Sequence, residues 1–431
     1  MMASPCRLMV CIGSSVLLVA AGCSPGGDAT SSSVPSPRCG SAAQAVPTAA
    51  RDEISPLVVT GVAPDPIPVR GTDGKYHVAY ELAVLNAAPR ATTLIKVETL
   101  TDDAAHRVLT RLQGDELVMR TLRVGSYPRE PSPVTSIPGG QTAILLLDDV
   151  YDDRGAIPPI VTHRVEASFA PPTADQREVA GVYPEQVSQV GGSICHSSRA
   201  PLVIAPPLQG DSWVALNACC TVSPHRSAML PIGGRINGTE RFAVDWVRFD
   251  LSAQPLVDVR TGVVATFRGD PTRNEDYLAY NQPLVAVADA TVVSVVSDVP
   301  DQPPHVFPTG LRLDQYGGNQ IVLDLGAGAY AFYAHLKPGS ASVRAGDRVT
   351  KGQQIGNLGN SGNSSEAHLH FHLMNSPLPL TGENLPFQID RFEFLGTVTL
   401  DGLTTSSPPG PRTNELPLAE STANYPVGPA R

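Results

Sequence analysis

The chain has 431 residues, 42% of them hydrophobic and 17% charged, with 38 glycines, 41 prolines and a formal net charge of -10. That length exceeds what one hydrophobic core usually organises, and the Gly/Pro content with few aromatics favours strands and turns over long helices. The acidic balance provides no basic stripe of the kind that phosphate backbones select, so nucleic acid is excluded as an expected partner.

In chain order, the first signal is Arg7 followed by an apolar run from Leu8 to Ala21 that ends in small residues. The run is too short to span a bilayer comfortably and has the pattern of an export signal. It closes on Ala20-Ala21-Gly22-Cys23, which resembles the bacterial lipobox, whose cysteine becomes the lipidated N-terminus. The resemblance makes residues 1–22 a lipoprotein signal peptide, with membrane attachment through lipid at Cys23. It places the protein in the bacterial cell envelope, on a periplasmic or extracellular face; cleavage near Ala21 or an uncleaved anchor is the alternative. Cys39, Cys195, Cys219 and Cys220 then remain in an oxidising compartment, where one or two disulfides are expected. Adjacent cysteines rarely bond each other, so the preferred bridge joins Cys195 to Cys219 or Cys220, with zinc binding by one of the latter as an outside reading.

Residues 23–51 are rich in Ser, Pro, Gly and Ala without apolar periodicity, as in a disordered tether. From 52 to 175 the pattern is strand-like: Val78, Tyr80, Leu82 and Val84 alternate with His77, Ala79, Glu81 and Ala83 after an Asp73-Gly74 turn. Further runs at 94–97, 143–147 and 163–167 between Gly/Pro breaks suggest an immunoglobulin-like β-sandwich. His77, His106 and His163 have no partner at ligand spacing and count as surface or structural groups. A connector spans 176–212, a second β-rich domain 213–400 and a loose polar tail 401–431.

The chemistry concentrates in the second domain. In Ala367-His368-Leu369-His370-Phe371-His372-Leu373 the imidazoles alternate with apolar side chains, so a strand puts His368, His370 and His372 on one face. Packed imidazoles compete for hydrogen-bond partners and repel when protonated, which makes the run a metal or catalytic signal rather than a structural one. Asp245 ends Arg241-Phe242-Ala243-Val244-Asp245, and residues 241, 243 and 245 share a face if the segment is extended. The bland alternative is a surface Asp paired with Arg241 or Arg248. His335 ends a strand candidate at 330–335, just before the Lys337-Pro338-Gly339 turn, where loops build sites.

These elements, with "VADATVVSV" at 287–295, "GGNQIVLDL" at 317–325, "YAHL" from Tyr333 and the long run from Val343 to His-x-His, resemble the LytM/lysostaphin-type zinc metallopeptidases over about 223–374. The resemblance implies a compact antiparallel β domain that cleaves peptidoglycan peptides with Zn2+. It makes Asp245 and His370 metal ligands, and His335 and His368 the general base and transition-state stabiliser. Zinc suits imidazole and carboxylate donors, and its bound water has a pKa near 7.

One position departs from the family pattern: Arg241 stands where a ligand His is usual, and guanidinium has no lone pair to give. His225, in Ser223-Pro224-His225-Arg226, is the best substitute third ligand; His372 and then His196 compete. Arg241 is free on this reading to pair with a substrate carboxylate. The alternative function is a noncatalytic LytM-like module that binds cell wall or regulates a partner hydrolase.

Overall fold

The computed structural model describes residues 54–62, 65–124, 135–177, 182–258, 263–400 and 402–426. The expected signal peptide, Cys23 and the tether lie outside them. No helix among the described residues is long and apolar enough to cross a membrane. The fold is mainly β, with one α-helix, Gly114–Met119, among the described residues.

The alternation around Tyr80 organises the N-terminal layers. The strands β1 (Leu57–Gly61), β2 (Tyr76–Asn86), β3 (Thr92–Thr101), β4 (Val108–Gln113), β5 (Thr121–Arg123), β6 (Thr142–Tyr151), β7 (Ile160–Phe169) and β8 (Gln186–Cys195) form two antiparallel sheets, each extended by one two-residue strand, Val69–Arg70 on β2 and Ser136–Ile137 on β3. Their orders are β1-β2-β6-β5 and β8-β7-β3-β4. Val78, Tyr80, Leu82 and Val84 of β2 share one apolar core with Leu94, Val97, Val161 and Val165 of the facing sheet. The other face of β2 is covered at its centre: Ala79 packs into the core of the C-terminal sheet, and Glu81 is fully buried. Strand β8 lies within the stretch expected to be a connector, so the second sheet reaches Cys195.

The C-terminal region is built on β9 (Gly210–Leu216), β10 (Val244–Arg248), β11 (Ala290–Val296), β12 (Gln320–Gly326), β13 (Ala329–Ala334), β14 (Arg348–Val349), β15 (Leu369–Met374), β16 (Phe392–Thr399), β17 (Gly402–Thr404) and β18 (Ser421–Tyr425). They run antiparallel in one sheet, ordered β14-β11-β12-β13-β15-β10-β9-β18-β16-β17. Leu369, Phe371 and Leu373 turn into the core with Trp213, Trp246 and Tyr333, which leaves the imidazoles of β15 on the opposite face.

Two expectations are corrected here. The tail is not loose: β18 pairs with both β9 and β16, and Ala423 and Tyr425 are buried. Its Ser-Thr-Ala-Asn-Tyr sequence hides the strand, because small polar side chains fill interior positions that usually carry Val or Ile. Nor does Cys195 bond Cys219 or Cys220. Those two are disulfide-bonded to each other, and Cys195 is engaged in a disulfide of its own.

Candidate metal centre

Asp245 on β10 and His370 on β15 are direct register partners on neighbouring strands. Their side chains emerge on the same face, with His370 Nδ1 3.0 Å from Asp245 Oδ1. The third donor comes from the loop after β9. There Ser227 N–H donates to the Ser223 carbonyl and Ala228 N–H to the His225 carbonyl, a tight turn that lifts His225 towards the sheet. His225 Nδ1 donates to the Ala243 carbonyl at 3.2 Å, which leaves Nε2 facing Asp245 Oδ2 and His370 Nδ1, each at 3.2 Å. All three residues are buried.

This triangle fits a zinc ion. Donors bound at about 2.0–2.2 Å in a tetrahedron stand roughly 3.3–3.6 Å apart, within a few tenths of an ångström of the edges found here. Burial works against the Asp245 carboxylate, but the charges of His225 and His368 outweigh it and hold its pKa well below the usual range. Burial likewise opposes protonation of His225, yet Asp245 raises it to about 9. In the metal-free protein the carboxylate therefore draws a proton into the triangle, the place a divalent cation would take.

His372 stands outside this triangle. Fully buried against Phe332, it lies behind His370, its Nδ1 3.1 Å from His370 Nε2. It thus engages the outer nitrogen of His370 and leaves Nδ1 turned to the centre. His196 is remote as well, bonded to the Pro158 carbonyl beside Tyr80 of the N-terminal sheets.

His335 and His368 stand together at the rim, their rings 4.7 Å apart. His335 directly follows β13 with φ 64, a left-handed conformation uncommon for a residue with a side chain. Its Nδ1 donates to the Ser361 carbonyl at 2.7 Å, so Nε2 keeps its lone pair. Burial first, then the neighbouring charges of His368 and His370, push its pKa well below the ordinary value. His368 Nδ1 donates to the Glu366 carbonyl at 2.8 Å, and its Nε2 lies 3.5 Å from Asp245 Oδ1. Burial disfavours its charge, but Asp245 raises its pKa overall. One imidazole is thus neutral beside another that holds a proton more readily, a pairing suited to a base and an acid.

Arg241 does not face this centre. Residues 239–242 form a turn and β10 begins only at Val244, so the shared strand face expected for 241 and 245 is absent. The guanidinium is buried instead against Glu81 of β2, with Nε to Oε1 at 2.8 Å and Nη2 to Oε2 at 2.5 Å. Its expected role as a partner of substrate carboxylates is corrected accordingly.

The sequence reading missed several supports. Asn217 Nδ2 donates to Asp245 Oδ2 at 2.8 Å, from a residue with φ 52 just past β9. Its only advance signal was an Asn, which tolerates left-handed backbone, at a strand end. The carbonyls of Ser361 and Glu366 orient the two catalytic candidates, and backbone acceptors leave no mark in sequence. A second group, His77, Asp148 and Cys220, has donor atoms within 4.8 Å of one another. It suits a metal poorly, because Cys220 is tied to Cys219 and both His77 nitrogens already face Asp148 and Asp73.

Residues 276–381 match Peptidase family M23. The matched stretch holds His335, His368 and His370 and starts downstream of His225 and Asp245. Among solved structures, the catalytic domain of the antimicrobial peptidase lysostaphin from Staphylococcus simulans is similar at 23% identity, over 36% of this chain and 80% of that one, with a TM-score of 0.20. A catalytic-domain mutant of the prophage-encoded M23 protein EnpA from Enterococcus faecalis is similar at 19% identity over 31% and 88%, with a TM-score of 0.19. A peptidase M23 structure from Pseudomonas aeruginosa is similar at 12% identity over 68% and 88%, with a TM-score of 0.23. None of the curated proteins matches the chain.

Proposed function

We propose that this chain, which carries a domain of peptidase family M23 of the LytM/lysostaphin type, is a zinc metalloendopeptidase acting on the peptide cross-links of peptidoglycan. The observation that carries the proposal is the closure of His225 Nε2, Asp245 and His370 Nδ1 into a buried triangle of zinc size. His225, Asp245 and His370 would hold the ion. The chemistry supplied when zinc is bound is polarisation of the scissile carbonyl and a water nucleophile near neutral pH.

The remaining steps belong to the chain's own side chains. His335, neutral and with Nε2 free of its Ser361 bond, accepts the proton of the attacking water. His368, aimed by the Glu366 carbonyl, donates a hydrogen bond to the developing oxyanion and returns a proton to the leaving amine. Asn217 keeps the Asp245 carboxylate turned to the centre. Lipid attachment at Cys23 would hold the enzyme at an envelope membrane, within reach of the wall.

Arg241 was the feature that favoured a noncatalytic module, and its bond to Glu81 gives it another explanation. Elemental analysis of the purified chain, with His225→Ala, His370→Ala and peptidoglycan digestion in parallel, tests the proposal. About one zinc per chain, lost in both variants together with digestion, is the expected result. A chain that takes up no zinc on reconstitution would move the assignment to a wall-binding or regulatory module.

A further inference from the structure

We propose that Glu81, in the N-terminal sheets, is a positioning residue for the metal centre in the C-terminal sheet: its one carboxylate fixes both chain segments that bring His225 and Asp245 together. The inference rests on the metal reading above and assigns the N-terminal region a part in it.

The argument begins with where the ligands sit. Asp245 and His370 belong to paired strands, whereas His225 stands on a loop outside the sheet. The residue that follows it, Arg226, reaches away from the centre to the N-terminal sheets. Its Nη1 binds Glu81 Oε1, and its Nη2 donates to the carbonyls of Tyr80 at 3.1 Å and Leu147 at 2.9 Å, on strands β2 and β6. Arg241, in the turn that feeds the Asp245 strand, binds the same carboxylate through Nε and Nη2. Glu81 is fully buried, Arg226 is 2% exposed and Arg241 5%.

A buried ionic cluster is a poor device for stability alone, since desolvating its charges offsets most of their attraction. It is a good device for geometry, because guanidinium and carboxylate meet in a few planar arrangements. Here the geometry being fixed is the separation between Arg226 and Arg241, and so between a ligand one residue away and another four residues away. The two segments also meet directly, through His225 Nδ1 to the Ala243 carbonyl and Thr239 Oγ1 to the Ala228 carbonyl, and Glu81 adds a side chain from outside them that binds both.

The test uses the purified full-length chain. Zinc affinity is measured by chelator competition, and the Co(II)-substituted protein is followed by its visible absorption, which responds to ligand geometry. Hydrogen exchange at Arg226, Ser227 and Ala228 in the metal-free protein gives a readout independent of metal. Glu81→Gln is expected to weaken zinc about 10–100-fold, the usual effect of removing a residue that orients a ligand. It should also alter the cobalt spectrum and speed exchange at those three amides, with Glu81→Asp partly restoring all three. Because Glu81→Gln leaves two buried cations and can unfold the protein, the apolar triple variant Glu81→Leu/Arg226→Met/Arg241→Met accompanies it. That variant should stay folded and still bind zinc weakly. Wild-type zinc affinity and cobalt spectrum in the folded triple variant would overturn the positioning role while leaving the metal reading intact. No zinc in the wild-type chain would overturn both.

Discussion

Tyr425 offers the most direct test of how the C-terminal sheet is closed. Its side chain is 3% exposed, stands edge-on to Trp246 with ring centroids 6.3 Å apart, and packs on Phe392 at 5.9 Å. Its hydroxyl accepts the Trp246 indole N–H at 3.1 Å. Truncation to Ala removes a side chain that buries roughly 150–200 Å2, worth about 4–5 kcal/mol at ~25 cal/mol per Å2. It also leaves the indole donor of Trp246 unpaired, at about 1–3 kcal/mol. Tyr425→Phe isolates that second contribution. Both tryptophans of the chain are buried here, Trp213 on β9 beside β18 and Trp246 on β10 with its indole bonded to Tyr425, so intrinsic fluorescence during urea unfolding reports on this region directly. Tyr425→Ala should lower stability by at least about 3 kcal/mol, in keeping with other large-to-small core changes, and red-shift the native emission. A variant within about 1 kcal/mol of wild type, where ordinary surface substitutions fall, would refute the placement of 421–425 inside the sheet.

Three further predictions bear on the centre and its surroundings. His372→Ala should weaken zinc about 10–100-fold without abolishing it, while His225→Ala abolishes it; the reverse order in a metal titration would exchange their assigned roles. Gly318 adopts φ 59 against the Ser361 backbone, so Gly318→Ala must displace the carbonyl that holds His335; kcat should fall with zinc content unchanged, and unchanged kcat would count against His335 as the base. Burial disfavours His77 protonation, but its bonds to Asp148 and Asp73 raise its pKa to about 10. The folded value exceeds the unfolded one near 6.5, so the added stability is complete below about pH 6.5 and is lost as pH climbs towards 10. Denaturation of wild type and His77→Gln across that window should converge with rising pH, and a constant gap would show that His77 does not titrate there.

What could be seen in advance was periodic. The strands around 244–248, 290–296, 320–326, 329–334 and 369–374 all fall where β-branched and aromatic runs are bounded by Gly, Pro or Asn. The His368, His370 and Leu369, Phe371 alternation carried both the strand and the polarity of its faces. What stayed hidden depended on distant partners. Arg241 reads as a lost ligand until Glu81, 160 residues away, is seen beside it. Glu81 itself reads as the solvent side of an alternating strand, because one sequence cannot show that the segments around Arg226 and Arg241 cover that face. Strand β18 escaped notice for the opposite reason: its stability comes from its neighbours rather than from its own composition.

The same strand constrains how the protein can be made. Ser212 N–H bonds the Asn424 side chain across a separation of 212 residues, and β9 has β10 on one side and β18 on the other. Until residue 425 is available, β9 presents an unpaired edge with Trp213 behind it, a surface prone to mispairing with other chains. Contacts this far apart in sequence close late and slowly. A nascent chain of this design stays incomplete for most of its synthesis, and the interval before β18 is released is the stage most in need of a chaperone.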